Sequence, residues 1–221
     1  MIDIFDIMGP IMVGPSSSHT AGAVRIGRMA RTLLGDEPVQ AALHLHGSFA
    51  TTGVGHGTDK ALIAGLLGMA ADDLDIPLSF DIAADRGLKF VFDELDLRDA
   101  HPNSVQMELT GQAGRRLNMQ ACSTGGGRIL VTKLDGVDVS FTGDYHTLII
   151  QNMDNRGSLA DVSTALSLAG VNVASMNMSR SSKGSNVMMI LETDDPIPDY
   201  IVQLIERQPG ILQVIHYKKE S

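Results

Sequence analysis

Asn152-Met153-Asp154-Asn155-Arg156-Gly157-Ser158-Leu159-Ala160-Asp161-Val162 joins two patterns of different period. Before it, residues 145–152 read as an apolar strand. After it, Leu159, Val162, Leu166 and Ala169 recur on one stripe of a helix over 158–170. The pattern then continues with a strand over 171–180, a hairpin at 181–185 and a strand over 186–193. Pro196 and Pro198 lead into a helix over 199–208, and residues 211–217 make a last strand. The order βαββαβ is the split βαβ arrangement, a ferredoxin-like unit. Gly143 and Asp144 mark a linker ahead of it, which divides the chain into residues 1–144 and 145–221.

Upstream, Gly14-Pro15-Ser16-Ser17-Ser18-His19-Thr20-Ala21-Gly22 stands immediately before a helix read over 21–34. Hydroxyl residues at a helix start satisfy backbone N–H groups that have no partner inside the helix. Those N–H groups, with the positive end of the helix dipole, also suit an anion such as a carboxylate. A histidine at that point places a proton acceptor beside a bound acid. The plainer reading of the same residues is a serine-rich N-cap. Met1–Met12 leads in as a short helix or arm, and Gly35 ends the helix. Arg25, Arg28 and Arg31 give the helix a basic edge, usually solvated surface and less often a face for an acidic partner.

Residues 39–45 read as a strand, with His44 and His46 two apart and so on one face. The stretch from Gly47 to Asp59 follows as a flexible polar loop that lets backbone approach a small ligand, with Thr58 and Asp59 capping a helix over 59–71. A dinucleotide loop is a poor reading. Gly53 and Gly55 are followed by Thr58 where the pattern wants a third glycine, and no clean second parallel strand with a terminal acid comes after the helix. Residues 72–85 are acidic and broken by Pro77, and 88–95 read as a short helix. His101-Pro102-Asn103 precedes an alternating strand through Val105, Met107 and Leu109; Pro102 holds His101 extended, and the plainer reading of the triplet is a turn with His101 in solvent. Two further strands, 116–121 and 128–133, are joined through Ser123-Thr124-Gly125-Gly126-Gly127, and Asp135-Gly136 has the form of a two-residue hairpin turn.

The 221 residues, 43% hydrophobic, suffice for a packed core in one large or two small domains. No apolar run reaches the roughly 18 residues of a membrane span, and the N-terminus lacks the basic-then-apolar pattern of a leader. A soluble, cytoplasmic protein is expected. The net charge of −9 argues against nucleic acid as a partner. One cysteine, Cys122, excludes an internal disulfide and any cysteine-held cluster built from this chain alone, so no metal is expected on it.

Taken together, the motifs G-P-S-S-S-H-T-A-G, H-G-S-F-A-T-T-G-V-G-H-G-T-D-K-A and H-P-N resemble the beta chain of the two-chain, iron–sulfur-dependent L-serine dehydratases. The stretches N-M-D-N-R-G-S-L-A-D-V and G-V-N-V-A-S-M resemble an ACT domain, although Arg156 stands where a proline is common before the loop glycine. The implied fold class is α+β: a mixed α/β serine dehydratase beta domain, similar to an allosteric-substrate-binding domain, followed by the ACT-like unit. The resemblance further implies a partner alpha chain carrying a 4Fe–4S cluster, L-serine as substrate, and self-pairing through the ACT-like unit. An effector site would involve Asn152, Asp154, Asn155, Gly157 and Leu159.

Serine dehydration removes the Cα proton and the Cβ hydroxyl, so it needs an oriented base and help for a poor leaving group. The resemblance and the position of His19 together make that imidazole the base. Ser16, Ser17, Ser18 and Thr20 would hold the substrate carboxylate, and His101 and Asn103 would complete the catalytic set. His46, Ser48, Thr52, His56 and Thr58 would line the pocket. Pyridoxal phosphate would need a Schiff-base lysine, and Lys60, the one lysine beside a glycine-rich loop, is expected on the surface. The remaining alternative is a non-catalytic, serine-sensing regulator related to that of 3-phosphoglycerate dehydrogenase.

Overall fold

The computed structural model describes residues 12–14, 16–180 and 186–219, and the chain forms two compact units, Met1–Asp135 and Gly136–Ser221. Most of the expected lead-in (residues 1–11), Pro15 and the expected hairpin at 181–185 lie outside the described residues. No helix of the described residues is long and apolar enough to cross a membrane.

In the first unit the strands are β1 (Pro38–Leu45), β2 (Lys89–Glu94), β3 (Ser104–Gly111), β4 (Arg116–Gly125) and β5 (Arg128–Leu134), in the spatial order β2-β1-β3-β4-β5. Only β1 and β2 run parallel among the described pairs of this unit. Alternation places Ala41, Leu43, Leu45, Val105, Met107, Leu109, Leu117, Met119 and Ala121 in the core. Two helices lie against each other over that core: α1 (Gly22–Leu34) and α4 (Thr58–Leu66). Between them come the one-turn helices α2 (Ser48–Thr51) and α3 (Gly53–His56), and α5 (Ser79–Asp85) follows.

Glycine sets the distance between α1 and α4. A Cβ on Gly65 would stand 2.1 Å from the Val24 carbonyl oxygen, and one on Gly27 would stand 2.3 Å from that of Leu62. Arg31 leaves the expected solvated edge: it ion-pairs with Glu37 and donates to the Leu66 carbonyl at 2.8 Å. The guanidinium holds the Glu37 carboxyl below its usual range.

Three expectations are corrected here. The stretch 88–95 holds β2 (Lys89–Glu94) and not a helix, because the free edge of β1 offers a parallel partner. Phe90 and Phe92, on alternate positions, then pack with Phe80 of α5 at 4.9 and 6.3 Å between ring centres. The strand ends in Asp93-Glu94, so one ground for rejecting a dinucleotide loop disappears, while the missing third glycine stands. The polar stretch 47–59 is coiled into α2 and α3 and is not an open loop. Finally, α4 is capped by Gly57 at φ +70°, with no side-chain bond from a cap residue. Asp59 accepts instead from the adjacent Lys60 N–H.

The second unit contains β6 (Val137–Phe141), β7 (His146–Met153), α6 (Ser158–Leu168), β8 (Val173–Arg180), β9 (Asn186–Thr193), α7 (Asp199–Glu206) and β10 (Ile211–Tyr217). The last six are βαββαβ in chain order, and their strands pair antiparallel in the order β10-β7-β9-β8. Leu148 and Ile150 of β7, Val162 and Leu166 of α6, Met189 and Leu191 of β9 and Ile201 and Ile205 of α7 close one core. This is the ferredoxin-like arrangement, within an α+β chain.

Candidate active site

The serine-rich stretch winds as one π turn, Ser17–Ala21, that runs directly into α1. Ser16 is extended at φ −142°, and its hydroxyl accepts the His19 N–H at 3.2 Å. The Gly22 N–H reaches back five residues to the Ser17 carbonyl. A widened turn of this kind rotates the side chains that follow, and such turns are common at functional sites. The helix expected over 21–34 is α1, and what the sequence did not announce is the π turn ahead of it. Ser, His and Thr are weak helix formers, but a cap at Ser16 lets them wind.

His19 is half-buried among hydroxyls. Its Nε2 lies 3.0 Å from Ser48 Oγ and 3.2 Å from Thr52 Oγ1, which are themselves 3.1 Å apart. Its Nδ1 lies 3.4 Å from Ser16 Oγ. Phe49, fully buried, meets the imidazole edge-on at 5.4 Å, and the His56 ring stands 5.0 Å away. Burial, and secondarily the neighbouring His56, hold the His19 imidazole below its ordinary value, while the Ser48 contact opposes them. The neutral base is therefore the favoured form at neutral pH.

The H-P-N turn supports this cluster through its backbone. The Pro102 carbonyl accepts the Ser48 N–H at 2.7 Å, directly where α2 begins. A Cβ on Gly47 would stand 2.6 Å from that carbonyl, and Gly47 has φ +56°. His46 N–H donates to the Ser104 carbonyl, and Ser123 N–H to the Asn103 carbonyl, both at 3.0 Å. His101 is exposed, and its Nδ1 accepts from the Asn103 N–H at 3.1 Å.

Of the residues expected in the site, Ser16, His19, Ser48, Thr52 and His56 are brought together. Ser17 and Ser18 are half-buried on the π turn, and buried Thr20 donates to the His56 carbonyl at 3.5 Å. The His46 ring accepts from the Leu97 N–H at 3.1 Å, with Asp96 at 3.7 Å, so it anchors the 95–97 segment. Thr58 is fully buried and its hydroxyl has no partner among the described residues. Beside His56 opens a cavity of about 390 Å³, lined by Val13, Gly14, Thr20, Asp59 and Lys60 among others. Lys60 reaches over Phe80, 6.0 Å from its ring centre. The sequence reading passed over Phe49, which backs the imidazole, and Ser123, which reaches the start of α1. Hydroxyl-plus-glycine composition in 123–127 was the signal available for the second.

In the second unit Asn152 is buried; it donates to the Met153 carbonyl at 2.7 Å, and its Oδ1 has no partner among the described residues. Asp154 pairs with Arg180, and Gly157, at φ +95°, caps α6. Asn155 lies against Gly210, and Leu159 packs on the core. Cys122 is buried, and desolvation pushes its thiol up, away from the thiolate a metal needs. Among the described residues no group of three histidine, cysteine or acidic side chains could hold a metal ion.

A family model described as "Serine dehydratase beta chain" matches residues 1–85. The chain is 38% identical to the "L-serine dehydratase, beta chain" of Peptoniphilus asaccharolyticus over 91% of each chain. A "D-3-phosphoglycerate dehydrogenase" of Bacillus subtilis is 26% identical over 80% of this chain and 34% of its own length. The "Probable L-serine dehydratase, beta chain" of the same organism is 39% identical over 96% of each chain. With agreement of that extent along nearly its whole length, the chain belongs to the serine dehydratase beta-chain family.

Proposed function

We propose that this chain is the beta subunit of an L-serine dehydratase, a lyase that converts L-serine to pyruvate and ammonia by eliminating water. The observation that carries the reading is His19: a half-buried imidazole whose Nε2 meets the Ser48 and Thr52 hydroxyls at the start of a helix, in a chain whose relatives are named for this reaction. The Ser17 and Ser18 N–H groups, with the hydroxyls of Ser16, Ser17 and Ser18, orient the carboxylate, Thr20 braces the turn against the His56 carbonyl, and His19 takes the Cα proton. Nε2 is already shared between Ser48 and Thr52, so the proton passes directly when substrate displaces one of them, or is relayed through the hydroxyl that remains at Nε2. His101, exposed, and Asn103, whose N–H it accepts, complete the catalytic set. His46 and Thr58 serve the pocket by holding its walls.

The 4Fe–4S cluster implied by the resemblance does not fit this chain, whose lone thiol is buried and held protonated. We assign it to a partner alpha chain, where it would supply a Lewis acid for the departing hydroxyl. The same reading places residues 1–144 and 145–221 as the two domains, the second self-pairing and holding an effector near Asn152, Asp154, Asn155, Gly157 and Leu159. The assembled enzyme works in the cytoplasm.

The test is to assemble the chain with an alpha chain anaerobically and measure pyruvate release. His19→Ala should cut turnover by roughly a hundred- to ten-thousandfold with the cluster spectrum unchanged. Wild-type turnover in that variant removes His19 as base. Tight L-serine binding by this chain alone, with no turnover in the pair, would favour a regulator instead, the role that the match to a 3-phosphoglycerate dehydrogenase raises.

A further inference from the structure

We infer that Ser123 is a positioning residue for His19, holding the π turn in register from the far end of β4. Ser123 is completely buried, yet its hydroxyl has no hydrogen-bond partner among the described residues. It fills the notch over Gly22, where a Cβ would stand 2.2 Å from Ser123 Oγ. The Ser17 carbonyl oxygen lies 3.6 Å from the same point, and it is the acceptor that closes the π turn by taking the Gly22 N–H. From its other side Ser123 donates its own N–H to the Asn103 carbonyl at 3.0 Å. Two residues on, Gly125 comes within 3.8 Å of Ser18 Oγ, measured from where its Cβ would be. One side chain thus touches the turn that bears His19 while its backbone is tied to the H-P-N turn that supports Ser48.

The fold gives no reason for a hydroxyl here. A buried hydroxyl without a partner costs stability, and alanine would leave the strand pairing intact. Its use lies in the wedge it forms. With the oxygen gone, Gly22 can settle into the vacated space, and the turn can relax from five-residue to four-residue spacing. That change rotates the side chains between Ser17 and Gly22, and His19 leaves its place between Ser48 and Thr52. A displacement of this order costs roughly up to a hundredfold in rate.

This inference rests on the dehydratase reading for its rate effect, but its geometric part is independent of it. The experiment compares full-length wild type and Ser123→Ala in three measurements: the thermal midpoint, the His19 imidazole titration by nitrogen NMR, and kinetics in the complex with the alpha chain. The expected result is a midpoint equal or higher and a His19 titration moved up toward the ordinary value. In the complex, kcat should fall about ten- to a hundredfold while KM stays within threefold. An unchanged His19 titration overturns the inference, and so does a lowered midpoint that accounts for the lost activity. Should the wild-type complex fail to dehydrate serine while the titration still moves, the positioning role stands and the dehydratase reading falls.

Discussion

His19 Nε2 lies 3.0 Å from Ser48 Oγ, although the two residues come from separate motifs 29 positions apart. The contact joins the start of α1 to the start of α2, and the Pro102 carbonyl at the N–H of Ser48 fixes the second partner. Ser48→Ala should leave Thr52 as the one hydroxyl at Nε2. Steady-state kinetics of the assembled enzyme should show kcat reduced about tenfold, and Ser48→Ala with Thr52→Val reduced further. Equal rates for wild type and the double variant would mean the hydroxyls only pack.

The pH profile should carry the mark of the depressed imidazole. Because His19 is held below its ordinary value of 6.5, its base form persists as pH falls, and the acid limb of kcat/KM should lie below 6.5. His56→Asn removes one of the two depressing influences, so the limb should move up in that variant. A limb at or above 6.5 in the wild type would separate His19 from the rate.

Stability should follow the same sign. His19 and His216 are both depressed, the latter by burial first and by Lys218 and His146 after it. Between folded and unfolded values the unfolded chain binds more protons. Stability from these groups is therefore full above 6.5 and declines as pH falls through the folded values. Urea melts between pH 8 and 5 should show this loss, and His216→Gln should reduce it.

Gly65→Ala tests the crossing of α1 and α4. The added methyl would stand 2.1 Å from the Val24 carbonyl, so the helices must part. A loss of about 1–3 kcal/mol is expected from urea denaturation. Since α1 carries the His19 turn at its head, turnover should fall as well.

Gly47→Ala meets two obstacles at once, a φ of +56° and the Pro102 carbonyl 2.6 Å from the new carbon. Strain of this kind costs about 1–3 kcal/mol. The readout that distinguishes it from general weakening is the His19 titration, which should change because Ser48 is the next residue.

The ferredoxin-like unit was legible because its signals are local. The strand before Asn152, the glycine at 157 and the stripe through Val162 and Leu166 each lie within a few residues of what they predict. The first unit was less so. Residues 89–94 carry phenylalanines at alternate positions, but their strand character depends on the edge of β1, more than forty residues earlier. The stretch 47–59 reads as polar and glycine-rich, and it winds into short helices because the Pro102 carbonyl nucleates the first turn from outside.

The order of three resembling motifs pointed to the family, the βαββαβ periodicity gave the ferredoxin-like unit, and the place of His19 in the serine-rich motif made it the candidate base, since residue identity and spacing carry those without geometry. Which hydroxyls face that imidazole, that His46 anchors the 95–97 segment, and that Ser123 lies against Gly22 were decided by the tertiary structure. The reason is physical: hydrogen bonds and close contacts act over about 3 Å, and only chain folding brings residues tens of positions apart to that distance.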